Sequence, residues 1–448
     1  MSLFNLFRKK YKEEKTALPH FRLGHYSDYQ KSEEQLRHWQ EAMQAFETQQ
    51  YESMFEHFFK YLADPNENNV SFNTTQNKTF SLLQGSKRLQ GEIREKTLRA
   101  EVPIARAEGM HIAFLRHMIQ SNFRLKYGRY AINEKNELLL IFDSYIADCS
   151  PYKLYHGLKE IAVEADRQDD LFLQEFHMLK PLGSEHVTPF GESQKQHLSK
   201  WMKTWIEACF KEVEQPSIDI QKNPGALAFL LLNTAYRIDA LLKPEGKLLD
   251  KIDEIHKNYF AKNDLTIEQK NQKSLDIFKE IHAQLEEIAE RNFYKTRSTF
   301  AIANPFAPDE IKKHIRNEVP KMDWYIQNEK FTYAMAIANY IAGYVVYFYS
   351  PPDWLHEIFL LYFRITQSDF FRETGFPAKF FPNKKAHKPF AAPNKKKVER
   401  ALDQIKKKYK NELKNTYFKK QMLQYQNLPA FAKSYLLMTA RMESSKKR

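Results

Sequence analysis

Five carboxylates crowd one stretch of this chain, Glu160, Glu164, Asp166, Asp169 and Asp170, with only Arg167 among them as a counter-charge. Glu160 and Glu164 stand four apart, so on a helix they share a face and repel. Such a knot has three readings: a solvated polar face ending in a turn, a rim for a basic partner or peptide, or oxygen ligands for a divalent cation. The first is the ordinary fate of charge clusters. Other groups that could do chemistry fall short on spacing. Gln84-Gly85-Ser86-Lys87 lacks the succession of glycines that aims backbone amides at a phosphate. His111 and His117 lie on different faces of a predicted helix. Glu254-Ile-His256 and His282 with Glu286 come nearest to helix-borne metal ligands, but a di-metal bundle needs two Glu-x-x-His pairs and two further inward glutamates. There is no zinc-finger spacing, no His-Glu-x-x-His and no Gly-x-Ser-x-Gly elbow. The sequence therefore assigns no catalytic residue, cofactor, metal or small-molecule substrate.

The knot belongs to a segment with strong local signals. Lys126 to Ile132 and Leu138 to Phe142 flank the polar turn Asn133-Glu134-Lys135-Asn136 and read as an antiparallel hairpin. Ser150-Pro151 then supplies a capping hydroxyl and a proline at the first helical position. The helix that follows puts Leu154, Leu158, Ile161, Ala165, Phe172 and Phe176 on one stripe. Upstream, 33–62 reads as a helix, Val70-Ser71-Phe72, Thr79 to Leu83 and Thr97 to Ile104 as strands, and the region around Gly85 and Gly91 as turns. A helix over 108–122 carries Ile112, Leu115 and Ile119 on one face with Phe114 and Met118 beside them. The order predicts an α+β layer over 33–180, an antiparallel sheet covered by helices, after a lead-in of 1–32.

Lys180-Pro181-Leu182-Gly183 and Pro189-Phe190-Gly191 mark a linker over 181–191. Beyond it strand signals vanish, and helical runs separated by prolines predict an all-helical domain over 192–383. The uncharged run Phe331 to Ser350 is long enough to cross a bilayer. Asn339, Thr332 and the tyrosines make it only mildly apolar, so a buried central helix is preferred.

The chain has 448 residues, enough for two or three domains, and its 42% hydrophobic content is that of a globular protein. Cys149 and Cys209 read as reduced thiols of a cytoplasmic protein. The opening Met1-Ser-Leu-Phe-Asn-Leu-Phe-Arg has too short an apolar run for a signal peptide; it reads as a frayed turn or a short amphipathic foot peripheral to the inner face of a membrane. The net charge of +13 is unevenly placed. Residues 384–448 hold 19 basic residues against four acids, whereas 1–383 hold 50 against 52. This C-terminal stretch predicts a basic amphipathic arm, with Val398, Leu402, Ile405, Tyr409, Leu413 and Tyr417 as its stripe and Lys395, Lys396, Lys397, Lys406, Lys407 and Lys408 as its charge. Its stripe either packs on the protein or faces an acidic partner.

The blocks Arg116-His-Met-Ile-Gln-Ser-Asn-Phe123, Lys126-Tyr-Gly-Arg-Tyr-Ala-Ile-Asn133 and Ser150-Pro-Tyr-Lys-Leu-Tyr-His-Gly-Leu-Lys-Glu-Ile-Ala162 through Asp166-Arg-Gln-Asp-Asp170 resemble the YbjN-type branch of the type III secretion chaperone-like fold. The resemblance covers about 33–180. It implies a curved sheet that pairs into a dimer and holds segments of other proteins against apolar patches, without cofactor or catalysis. The helical half and the basic stretch depart from the small acidic chaperones of that family.

Two functions are expected from these readings. The first is a non-enzymatic, cytoplasmic protein-binding or chaperone-like factor. Its contacts are Phe114, Met118, Leu139 and Ile141, rimmed by Asp166, Asp169 and Asp170, because the strand Leu138 to Phe142 is apolar on both faces. The second is a nucleic-acid or anionic-membrane adaptor working through 384–448.

Overall fold

Capping chemistry starts the first helix. The Ser32 hydroxyl accepts from the Gln35 amide at 3.1 Å while the Gln35 side chain accepts from the Ser32 amide at 2.9 Å, a reciprocal pair that opens α1 (Glu33–Glu47). The computed structural model describes residues 21–28, 30–74, 78–108, 112–176, 178–377, 380–381, 390–414 and 418–442. The foot at the chain's start lies outside these. The helix expected over 33–62 is two helices, because Gln49 takes a left-handed φ of 58° and turns the chain back into α2 (Tyr51–Leu62).

The strands are β1 (Val70–Asn73), β2 (Lys78–Gln84), β3 (Lys87–Ile93), β4 (Thr97–Ala107), then, after α3 (Ile112–Asn122), β5 (Arg129–Ile132) and β6 (Glu137–Tyr145). After α4 (Pro151–Glu175), β7 (Leu179–Pro181) completes a seven-stranded sheet of order β1-β2-β3-β4-β6-β5, with β7 paired to the far end of β4. Every pairing is antiparallel. Gly91 sits inside β3 opposite Phe80, not in a turn, and a Cβ there would fall about 2.1 Å from the Phe80 ring. Ser150 caps α4 through the Lys153 amide. The helices lie on the face that carries Leu138, Leu140, Phe142, Val102 and Leu89, and this layer has its own core.

The expected linker is structured instead. β7 joins the sheet, and β8 (Thr188–Pro189) pairs with β9 (Tyr294–Lys295) of the helical half. The helical half comprises α5 (Glu192–Glu214), α6 (Pro224–Leu242), α7 (Gly246–Phe260), α8 (Ile267–Ala283), α9 (Leu285–Asn292), α10 (Pro308–Glu318), α11 (Asp323–Gln327), α12 (Phe331–Phe348), α13 (Asp353–Thr366), α14 (Ser368–Glu373), α15 (Lys395–Lys408) and α16 (Leu428–Ala440). By length and composition α6 and α12 could each cross a membrane, yet 83% and 72% of their apolar windows are buried in the fold. They pack on one another where Gly343 meets Tyr236; a Cβ at 343 would lie 2.7 Å from that of Tyr236.

The basic stretch does not form a separate arm. Val398, Leu402 and Ile405 of α15 are buried on the helical core, and α16 belongs to its interior with Phe431, Tyr435 and Leu436 inaccessible to solvent. The Tyr435 hydroxyl donates to the Ile358 carbonyl at 2.8 Å. Apolar area decides the outcome: a helix as hydrophobic as α16 gains more from burial than the neighbouring lysines lose by standing at the rim.

The two cores are stitched together. Phe300, from the loop after β9, fills the core of the sheet layer, and its amide and that of Thr299 donate to Gln84 Oε1. Residues 21–28 run as a strap across the seam: the Gly24 amide donates to the Ala240 carbonyl, the Leu23 amide to His356 Nε2, and Asp28 accepts from Tyr155 and from the Ala301 amide.

Candidate functional site

Helix α3 presents two apolar faces, and the structure buries the one expected to be free. Phe114 and Met118 are core residues, with the Phe114 ring edge-on to Phe172 at 5.8 Å and to Phe176 at 5.2 Å. They are not partner contacts. The opposite stripe, Ile112, Ile119 and Phe123, is exposed at 77%, 61% and 88%. The reason is that Arg116 lies on the same stripe, four residues from Ile112, and a guanidinium cannot enter a core without a partner. The two aromatic-lined positions on the other side bury more apolar area at no such cost.

Exposed basic residues lie on the stripe and follow it in the chain. Arg116, Arg124, Lys126 and Arg129 are exposed, and Tyr127, half-exposed, lies parallel to the ring of His156. Arg124 donates to the Ser121 hydroxyl at 2.9 Å and is held at the end of α3, whereas Arg129 pairs with Asp143 at 2.5 Å on the sheet face away from the helices.

Strand β5 is one edge of the sheet, β1 being the other, and its open side is occupied at Tyr130. The Tyr130 amide donates to Asn122 Oδ1 at 2.7 Å, and Asn122 Nδ2 donates back to the Tyr130 carbonyl. Ahead of the strand, the amides of Lys126, Tyr127 and Gly128 all donate to the carboxylate of Glu160, at 2.7 to 2.8 Å. These bonds occupy the outward groups of Tyr130 and of the chain before it, which blunts this edge for strand addition.

These bonds also account for the carboxylate knot. Glu160 serves the three amides just named, Glu164 accepts from the Tyr130 hydroxyl at 3.0 Å, and Asp166 accepts from the amide and hydroxyl of Ser86 at 2.7 and 3.2 Å. The Asp166 contact sits where Gly85 takes φ +54°, with no room for a side chain beside the carboxylate. Asp166 is therefore a support of the β2–β3 turn and not a rim residue. The side chains of Asp169 and Asp170 lie outside those described. Burial and the neighbouring Glu164 charge push the Tyr130 hydroxyl far above its ordinary range, so it stays a proton donor.

Leu139 and Ile141 stand two apart in β6 and so share one face, the side of the sheet away from the helices. They are nonetheless 5% and 4% exposed. Ile141 sits in register between Arg129 and Glu101, and Leu139 between Ala131 and Pro103. Neighbouring side chains close over them, so these residues offer no ready contact, and among the described residues β6 packs chiefly on β4, β5 and α4.

A cavity of about 990 Å³ lies elsewhere, along the seam. Arg22, His25 and Lys243 face Glu67, Asp239 and Glu245 there, and opposite charges answer one another across it. Thr296 donates to Glu245 at 2.9 Å, and Arg167 of α4 reaches Asp253 of α7 at 3.4 Å. Burial pushes Asp250, beside Arg167, up to about 6. The cavity joins the halves through its ion pairs.

Of the lysines, Lys395, Lys396, Lys397, Lys407 and Lys408 are exposed and Lys406 partly so, along the outer side of α15; Lys408 pairs with Glu357 at 2.6 Å. Comparison with protein-family models and with curated proteins returns no match.

Proposed function

We propose that this chain is a non-enzymatic, cytoplasmic protein-binding factor of chaperone-like character that holds a segment of a partner polypeptide on the outer stripe of α3. The observation that carries this reading is the line of exposed Ile112, Ile119 and Phe123 along α3 and just past its end, on a helix whose opposite side packs Phe114 and Met118 into the core. Large apolar side chains standing together in water mark contact surfaces. The neighbouring Arg116 and Arg124 favour a segment that is amphipathic and acidic. Because Asn122 and Glu160 blunt the β5 edge, the segment docks by side-chain packing along the helix and not by strand addition. The resemblance of 33–180 to the YbjN-type secretion chaperone-like fold favours the same reading.

The test uses the intact chain with a photo-crosslinking residue at 119 or 123, and another at Gln90 on the open sheet face as control. Crosslinks to one partner from 119 and 123 but not from 90, lost on Arg116→Glu, support the reading. Crosslinks only between copies of this chain would make the stripe a homodimer contact, and sedimentation would then give a dimer. A second reading, an adaptor for nucleic acid or an anionic membrane surface, rests on the exposed lysines of α15. It predicts heparin binding that falls steeply with salt and is lost on Lys395, Lys396 and Lys397→Gln.

A further inference from the structure

Three ligand-type atoms converge where α1 meets α2. His38 and Glu41 stand three apart on α1 and share a face, and His57 faces them from α2. Ala42 and Ala45 are buried at the helix contact, where their small size lets the two helices approach closely enough for the imidazole rings to lie 5.1 Å apart. His38 Nδ1 is 3.1 Å from Glu41 Oε2, His57 Nδ1 is 2.9 Å from the same oxygen, and the two Nδ1 atoms are 2.9 Å from each other.

Hydrogen bonding alone serves this triangle poorly. A proton on one nitrogen can point along one edge, and with edges near 60° to each other it cannot serve a second in line. If both nitrogens donate to Glu41, their N–H groups oppose each other at 2.9 Å; if one donates to the other, a lone pair is left facing the carboxylate. A cation at the centre satisfies all three lone pairs at once. The edge lengths also select the geometry. For metal–ligand bonds of about 2.1 Å, neighbouring ligands lie about 3.0 Å apart in an octahedron and about 3.4 Å apart in a tetrahedron. The observed 2.9, 2.9 and 3.1 Å fit one face of an octahedron.

We propose that His38, Glu41 and His57 bind a divalent first-row transition-metal ion as a facial set of two imidazoles and one carboxylate, with the remaining positions filled by water. All three residues are half-buried, so the open side of the ion faces solvent. Arg37 Nε lies 3.8 Å from Glu41 Oε1 and steadies the oxygen that does not ligate. The ion ties the two helices of the N-terminal hairpin together and so raises the stability of the loaded chain. The pattern escapes a search for His-Glu-x-x-His because the third ligand comes from the next helix, sixteen residues beyond Glu41.

The experiment titrates the chelator-treated full-length protein with Zn2+ and with Co2+ by calorimetry and optical absorption. One ion per chain is expected, with the weak visible Co2+ bands of a six-coordinate site. Affinity should fall at least about tenfold in Glu41→Gln and more in His38→Gln and His57→Gln, while His282→Gln, in a surface pair with Glu207, leaves it unchanged. Absorption fine structure of the zinc-loaded wild-type chain, which requires no variant to fold, should show two imidazoles. Absence of stoichiometric binding, binding unaffected by His38→Gln and His57→Gln, or a zinc shell without two imidazoles overturns the proposal.

Discussion

His25 of the strap and Asp239 of α6 meet at 3.1 Å inside the seam, with Glu245 at 4.0 Å from the other ring nitrogen. Burial alone would lower the imidazole's pKa, but the charge and hydrogen bond of Asp239, with Glu245 behind them and Lys243 opposing, raise it to about 8. The folded state thus holds a proton more tightly than the unfolded chain, whose histidine titrates near 6.5. The resulting stabilisation is complete below about pH 6.5 and is lost as pH rises through about 8, a change on the order of 1–2 kcal/mol. Melting temperatures of wild type and His25→Gln should therefore differ at pH 6 and converge by pH 9. A difference that stays constant across that range would show that His25 carries no such charge.

The seam also governs whether the sheet layer can stand alone. Phe300 lies edge-on to Tyr155 at 5.4 Å and belongs to the core of the sheet layer although the helical half supplies it. Phe300→Ala should cost about 3–5 kcal/mol. A fragment of residues 30–185 lacks Phe300, Thr299 and the strap, and leaves Gln84 without its partners. It should melt well below the intact chain or without cooperativity, as followed by circular dichroism; a fragment as stable as the whole would show that the stitching is superficial.

Local signals in the sequence reached far into this fold and then stopped at a physical boundary. The Ser150 cap, the Asn133 to Asn136 turn and the apolar run of β6 depend on neighbours in the chain, and these elements stand where they were expected. What α3 buries depends on Phe172 and Phe176 across space, so periodicity alone could not say which of its two apolar faces is inside. The knot was equally opaque, since Glu160 answers backbone amides more than thirty residues away and such partners leave no mark on composition. Charge misled for the C-terminal stretch, because lysine counting ignored the apolar α16 that lies within the same segment.

That segment supports a direct prediction. Removal of 384–448 takes away α16, whose Phe431 and Tyr435 are inaccessible, and should yield an insoluble or molten product. Tyr435→Phe, which removes the hydroxyl that donates to the Ile358 carbonyl, should cost about 1 kcal/mol in a urea melt. Replacing Lys395, Lys396 and Lys397 by Gln should leave the melt within about 0.5 kcal/mol of wild type. A folded truncated protein would mean that the helical core closes without its last helix.

The two faces of α3 separate packing from binding. Phe114 contacts two phenylalanines in the core, so Phe114→Ala should cost about 3–5 kcal/mol. Ile119 and Phe123 have most of their surface in water, so Ile119→Asp or Phe123→Asp should change stability by no more than about 0.5 kcal/mol. If the stripe binds an acidic amphipathic segment, either substitution removes apolar contact and adds a repelling charge, and partner crosslinking should fall sharply while the melt is unmoved. Arg116→Glu probes charge without touching the apolar surface and should weaken capture in a salt-dependent way. Unchanged capture in all three variants would leave the stripe a solvated surface, whereas a lowered melt in Ile119→Asp would place it inside the core.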